Sequence, residues 1–266
     1  MLAAMRKRPD DRRDRTRGAP TRAATPVHGV ARTLSKLGYC SRTAAEALVR
    51  EGRVSIAGRV VADPTEPVLA GAPISVDGRA VEAAERVYLM LNKPRGLVTT
   101  VRDEGGRDTV YRCLEGSDLP WLAPVGRLDR ASEGLLLFSN DPAWAARVTD
   151  PASRIEKTYH VQVDRLPDEA LLRALVDGVE HAGEPLAAVR VSELRRGERN
   201  AWLEIVLDEG RNREIRRLLG AFDVGVLRLV RVAIGGLVLG DLAKGRWRRL
   251  DAGEIASLAS AGKPPE

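Results

Sequence analysis

Asp129 stands between two arginines, Arg127 and Arg130, in a segment opened by Gly126 and closed by Gly134. The apolar run Leu135–Phe138 follows directly and is short enough to be a buried strand. A carboxylate is thus held in a tight loop just ahead of a core element, with a cation on each side. A neighbouring cation favours the ionised form of an Asp, whose intrinsic pKa is about 3.9. An ionised carboxylate can act as a nucleophile or a base rather than as a proton donor. On local chemistry alone the plainer reading, a surface Asp–Arg ion pair in a turn, has the stronger claim.

Other segments carry side chains capable of chemistry. Tyr159 lies in Lys157–Val163, which reads as a strand. Glu209-Gly-Arg-Asn-Arg-Glu-Ile-Arg-Arg-Leu218 opens a basic helix whose charges also suit i,i+3 and i,i+4 ion pairs on a solvated face. Asn92-Lys93-Pro94-Arg95-Gly96 ends a strand and reads as a turn with two cations. Between Arg195 and Arg249 there are thirteen basic and seven acidic residues, a positive patch that suits an anionic partner. Cys40 and Cys113 lack metal-ligand spacing, and His28, His160 and His181 form no ligand cluster, so no metal site is expected. Two lone thiols suit a reducing cytoplasm.

The elements that must position these residues can also be read. Of 266 residues, 44% are hydrophobic, enough for a small domain and a medium one. No apolar run reaches the length of a membrane span, and the charged N-terminus lacks the apolar core of a secretory signal. Residues 1–28 are expected to form a disordered basic tail, with eight basic residues against three acidic ones before His28. The remaining chain is therefore nearly neutral despite a net charge of +6. Residues 29–84 form a first unit. Leu34 and Leu37 mark one short helix, and Ser41 caps a second with Ala44, Ala45, Leu48 and Val49 inside and Gly52 ending it. Two hairpins follow, around Ala57-Gly58 and Asp77-Gly78, with Pro64–Pro67 as a linker between them. Arg42, Arg50 and Arg53 belong to a basic stretch with six cations and two acids, suited to phosphate contacts. Residues 85–252 form the larger unit, in which Asp141-Pro142 caps the helix Ala143–Val148, and 253–266 are read as a C-terminal tail.

Gly126-Arg-Leu-Asp129, with Ser132, Gly134, Leu135–Leu137 and Asn140-Asp141, resembles the catalytic-aspartate motif of pseudouridine synthases. The chain is most similar to the RsuA-type ribosomal RNA enzymes. Asn92–Gly96 resembles the first motif of that family and Glu209–Leu218 its third, while residues 30–62 resemble an S4-type RNA-binding domain. The resemblance runs from about Arg32 to about Leu250. It implies an α+β fold, a mostly antiparallel sheet around a central cleft, preceded by the small S4-type α/β domain. It implies isomerisation of a uridine to pseudouridine with no cofactor, Asp129 starting the reaction, Tyr159 stacking on the uracil and Arg216 reaching the carboxylate. Arg127, Arg130, Lys93, Arg95, Arg211, Arg213 and Arg217 are then candidates for RNA contact, beside Arg42, Arg50 and Arg53 of the small domain. The implied partner is ribosomal RNA or a pre-ribosomal particle, most of all 23S, with a 16S target or a non-catalytic assembly factor as the rival readings. A monomer is the default. The chain departs from the family at Ala57 (usually Asn), Ser132 (commonly Thr) and Glu214 (often Gln), where an acid could re-pair Arg213 or Arg217.

Overall fold

The computed structural model describes residues 28–101 and 103–260, so the expected N-terminal tail lies almost wholly outside the described residues. The first unit runs β1 (His28–Gly29), α1 (Val30–Lys36), α2 (Arg42–Arg50), β2 (Val54–Ile56), β3 (Arg59–Val60), β4 (Pro67–Val68), β5 (Ile74–Val76) and β6 (Arg79–Ala80). Ser41 caps α2 by accepting the Ala44 amide, and Gly52, at φ +70°, ends it. Ala45 and Val49 face the core, whereas Ala44 is exposed, one position off the expected stripe. The two hairpins join through β2 and β5 into a sheet of order β3-β2-β5-β6. Both residues of the first turn are left-handed, Ala57 at φ +49° and Gly58 at φ +82°, so Ala57 carries the strain that an Asn tolerates better. The expected linker at Pro64–Pro67 is instead part of the unit. Its last residue opens β4, which pairs with β1, and Pro64 and Glu66 accept amides from the start of α1.

The larger unit runs β7 (Tyr88–Lys93), β8 (Ala123–Val125), β9 (Glu133–Ser139), α3 (Pro142–Thr149), β10 (Lys157–Val163), α4 (Glu169–Asp177), β11 (Val179–His181), β12 (Glu184–Leu186), β13 (Arg190–Arg196), β14 (Ala201–Leu207), α5 (Glu214–Gly220), β15 (Val226–Ile234), β16 (Leu237–Val238), β17 (Trp247–Arg249) and α6 (Ala252–Ser260). Its main sheet has the order β13-β14-β10-β15-β9-β7-β17, with β16 added to β15 and β8 to β9. Every pairing is antiparallel except one: β15 and β9 meet in parallel over Val230–Glu133 and Arg231–Gly134. That seam divides the sheet into two antiparallel halves. Glu133 locks it, its buried carboxylate accepting from both Arg228 and Lys244.

Burial patterns follow from what covers each strand. All seven residues of β9 are buried, because Leu136 and Phe138 face one core and Leu135 and Leu137 the other. A strand covered on both faces reads as a continuous apolar run. β10 alternates, with Tyr159, Val161 and Val163 inward. Asp141 caps α3 through the amides of Ala143 and Trp144 with Pro142 at its first turn, and the buried Trp144 indole donates to the Ile255 carbonyl. The segment 253–260, read from sequence as tail, thus lies in α6 and packs on α3 through Leu258. Asn140 fastens the start of the larger unit to the end of β9: it accepts the Val87 amide, donates to the Glu85 carbonyl and offers its own carbonyl to Arg86. No helix among the described residues is long and apolar enough to cross a membrane.

Candidate active site

Two loops stitched to each other carry Asp129. The Gly96 amide donates to the Arg130 carbonyl at 2.8 Å, and the Arg130 guanidinium returns to the Gly96 carbonyl at 3.3 Å. Thr99 donates to the Leu128 carbonyl at 2.7 Å. Beneath them lies Lys93, fully buried, whose ammonium donates to the carbonyls of Pro94, Asp129 and Ser132 at 3.1, 3.2 and 2.8 Å. Three donors meet three carbonyls, so the ammonium is saturated by backbone. This corrects the expectation that Lys93 meets the RNA backbone: it is the internal strut of the Asp129 loop. The first motif gave no sign of this, because two of its three partners lie 36 and 39 residues away.

Burial pushes the Lys93 pKa down to about 8, against the opposing pull of Glu133 and Asp129. The native value lies below the unfolded one, so this contribution to stability is complete above pH 10.5 and is lost as pH falls through 8. Lys93→Met should cost about 2–4 kcal/mol at neutral pH by stranding the Pro94 and Ser132 carbonyls, while the Asp129 carbonyl keeps the Ser132 amide. The stability gap between wild type and Lys93→Met should then widen between pH 8 and 10, because only wild type loses a buried charge. Urea titrations of both proteins at those pH values would measure it, and a gap independent of pH would contradict the buried-ammonium account.

The facing wall is built by β10, the ends of β14 and β15, the loop at 210–213 and α5. Together the two walls enclose a hollow of about 260 Å³ lined by Asp129, Tyr159, Arg216, Arg127, Arg211 and Arg213 of the expected residues. Tyr159, 8% exposed, is fixed between Ile205 on β14 and Arg231 on β15. Arg216 donates to the Val226 carbonyl at 3.2 Å, while its buried Nε has no hydrogen-bond partner among the described residues. Burial and then Arg213 depress the Arg216 pKa, and Asp129 pulls it back up. The two groups therefore sense each other across the hollow, with no direct ion pair between them among the described residues.

The basic helix begins later than the sequence suggests, at Glu214, after Arg213 in a left-handed conformation at φ +49°. Glu214 pairs with neither Arg213 nor Arg217. Its buried carboxylate accepts the Arg211 amide at 3.0 Å and so shapes the preceding turn, with burial raising its pKa. Arg211 is held by Glu209 and the Pro185 carbonyl, and Arg217 by Glu184 and the His181 carbonyl, which turns Arg217 away from the hollow. Arg95 is exposed on the neighbouring loop, near enough to depress Arg216 electrostatically. Arg130 is exposed and gives its Nε to Gly96. In the small domain Arg42 and Arg50 share Glu46, and Arg53 spans Glu51 and Asp77, all in exposed pairs.

Among the polar residues lining the hollow, Lys157, Arg231, Asn212, Ser132 and Glu214 were not singled out as site residues by the sequence, the last two noted only as departures from Thr and Gln. Arg231 had a readable signal. In β15 the inward register runs Leu229, Arg231, Ala233, so a charge falls on the core-facing phase of a strand.

The RNA pseudouridylate synthase family model matches residues 87–221, and the S4 domain model matches residues 30–74. An uncharacterized RNA pseudouridine synthase of Aquifex aeolicus is 38% identical over 86% of this chain and 92% of its own length. The ribosomal large subunit pseudouridine synthase B of Bacillus subtilis is 34% identical, covering 87% of this chain and 97% of that protein. That of Shigella flexneri is 38% identical, covering 88% and 84%. A crystal structure of a pseudouridylate synthase superposes with a TM-score of 0.61 at 27% identity, covering 87% of this chain and 99% of the other. With the Asp129 loop, the Tyr159 strand and the basic helix all inside the matched span, and relatives aligned over most of its length, the chain belongs to the RNA pseudouridylate synthase family.

Proposed function

We propose that this RNA pseudouridine synthase acts on large-subunit ribosomal RNA, flipping one uridine out of its stack and into the hollow beside Asp129. The observation that carries the reading is the gathering of Asp129, Tyr159 and Arg216, distant in sequence, around one hollow. The names of the relatives from Bacillus subtilis and Shigella flexneri supply the choice of RNA.

The isomerisation breaks the bond between uracil and ribose, turns the base and rejoins it through carbon; the proton on that carbon is lost to solvent and the freed ring nitrogen takes one up. Asp129 supplies the carboxylate that begins the reaction. Tyr159 gives the flipped uracil a ring to lie against, and Arg216 places a positive field across the hollow from the carboxylate. Unstacking costs a few kcal/mol, which aromatic stacking of about 1–3 kcal/mol and phosphate contacts offset. Exposed Arg95, Arg127 and Arg213 surround the opening and suit phosphates. The test is tritium release from RNA carrying 5-tritiated uridine. Release is expected from large-subunit fragments and not from small-subunit ones; the reverse pattern would overturn the choice of RNA.

The small domain adds affinity. Exposed ion pairs such as Arg42–Glu46 are worth little, so these arginines can exchange their carboxylates for phosphates at small cost. Replacing Arg42, Arg50 and Arg53 together by Gln should weaken RNA binding and flatten its salt dependence by about two to three phosphate contacts' worth. An unchanged slope in filter-binding titrations would remove the small domain from the interface.

A further inference from the structure

Arg231 is 7% exposed, and its Nε donates to the Leu135 carbonyl at 2.8 Å. Its Nη2 is buried with no hydrogen-bond partner among the described residues. Beside it, half-buried Lys157 donates to the Asp208 carbonyl at 3.1 Å. Among the described residues neither cation makes an ion pair, and the nearby carboxylates are engaged elsewhere: Glu209 with Arg211, Glu214 with the Arg211 amide, Asp208 with Arg154. Burial and then Arg231 depress the Lys157 pKa, a mark of two cations facing each other. A buried guanidinium with a donor unused carries a desolvation cost that an anion relieves.

Position narrows the anion. Arg231 and Lys157 line the hollow beside Asp129 and also an adjoining one of about 310 Å³, walled by Val148 and Ile234. An anion held by both cations therefore lies where one hollow passes into the other. A neutral uracil would leave both charges uncompensated, whereas a phosphodiester offers a negative charge and two free oxygens to the Arg fork.

We propose that Arg231 and Lys157 form a binding site for a backbone phosphate adjoining the target uridine, which anchors the flipped nucleotide at the inner end of the hollow. This rests on the pseudouridine reading above. The two cations hold the ribose-phosphate in place while the base turns against Tyr159. They take no part in bond making.

The experiment measures binding of the full-length protein to large-subunit RNA fragments over a salt series. Arg231→Gln and Lys157→Gln should each weaken binding about tenfold, the value of one charged hydrogen bond. Each should also lower the slope of log K against log salt by about 0.7–0.9, one phosphate's worth. A purely structural Arg231 would leave that slope unchanged in the folded variant, and that result would overturn the proposal. In a fragment where wild type forms pseudouridine, a neutral methylphosphonate is then placed at either linkage flanking that uridine. One of the two should cost wild type about tenfold in affinity and cost Arg231→Gln almost nothing more. Equal losses in both proteins would overturn the phosphate assignment. If Arg231→Gln does not fold, the neutral linkages on wild type and Lys157→Gln decide, and no loss at either linkage is the negative result. Bound RNA with an Arg231-dependent slope but no pseudouridine in any fragment would instead overturn the functional reading and leave the phosphate site standing.

Discussion

Asp129→Asn is expected to abolish tritium release, by at least about 10³–10⁴-fold, while RNA affinity stays within a few fold of wild type. The substitution keeps size and polarity but removes the charge and the nucleophilic or basic oxygen. The loop should survive it, because its anchors are backbone groups: the Asp129 carbonyl accepts from Lys93 and from the Ser132 amide, and neither bond involves the side chain. Binding should survive because the phosphate-facing cations are untouched. A variant that still turned over, at even a hundredth of the wild-type rate, would remove Asp129 from the chemistry. The hollow would then have to find its reactive group elsewhere, and the other carboxylate lining it, Glu214, is committed to the Arg211 amide.

The contrast between Lys93 and Asp129 explains how far the sequence could be read. Local chemistry was legible: the caps at Ser41 and Asp141, the continuous apolar run of β9 and the alternation of β10 all obey periodicities of a few residues. The convergence of Asp129, Tyr159 and Arg216 on one hollow was legible only through the family resemblance, since no local rule brings residues 129 and 216 together. What escaped was set by distant partners or by single-residue conformations that no period encodes. Lys93 looks like a surface cation until the carbonyls of Asp129 and Ser132 close over it. The start of α5 depended on Arg213 adopting a left-handed conformation and on Glu214 folding back onto Arg211, neither of which helical periodicity encodes. Arg231 was the exception that could have been caught. A charge on the inward phase of an apolar strand asks for a partner, and the sequence offered none nearby.

The largest effect on folding should come from one methyl group. Gly126 and Gly134 frame the Asp129 loop symmetrically in the sequence, yet their surroundings differ. A Cβ on Gly126 would meet nothing nearer than the Thr149 methyl at 3.5 Å, so Gly126→Ala carries only the cost of its φ of +74°. That is about 1–2 kcal/mol. A Cβ on Gly134 would fall 2.2 Å from the Arg231 carbonyl oxygen and 2.9 Å from its amide nitrogen, at a φ of +98°. Those atoms belong to the parallel seam itself, and backbone on both sides cannot step aside as a side chain can. Gly134→Ala should therefore cost more than about 4 kcal/mol, a large part of a typical domain's total stability. Because the seam joins the two halves of the sheet, it also sets Arg231 and Tyr159 against the Asp129 loop, so any folded fraction should turn over slowly. Urea denaturation of the two variants side by side would check the ranking. Equal, small losses would mean that β9 and β15 can move apart without consequence, and the seam would no longer account for how the hollow is assembled.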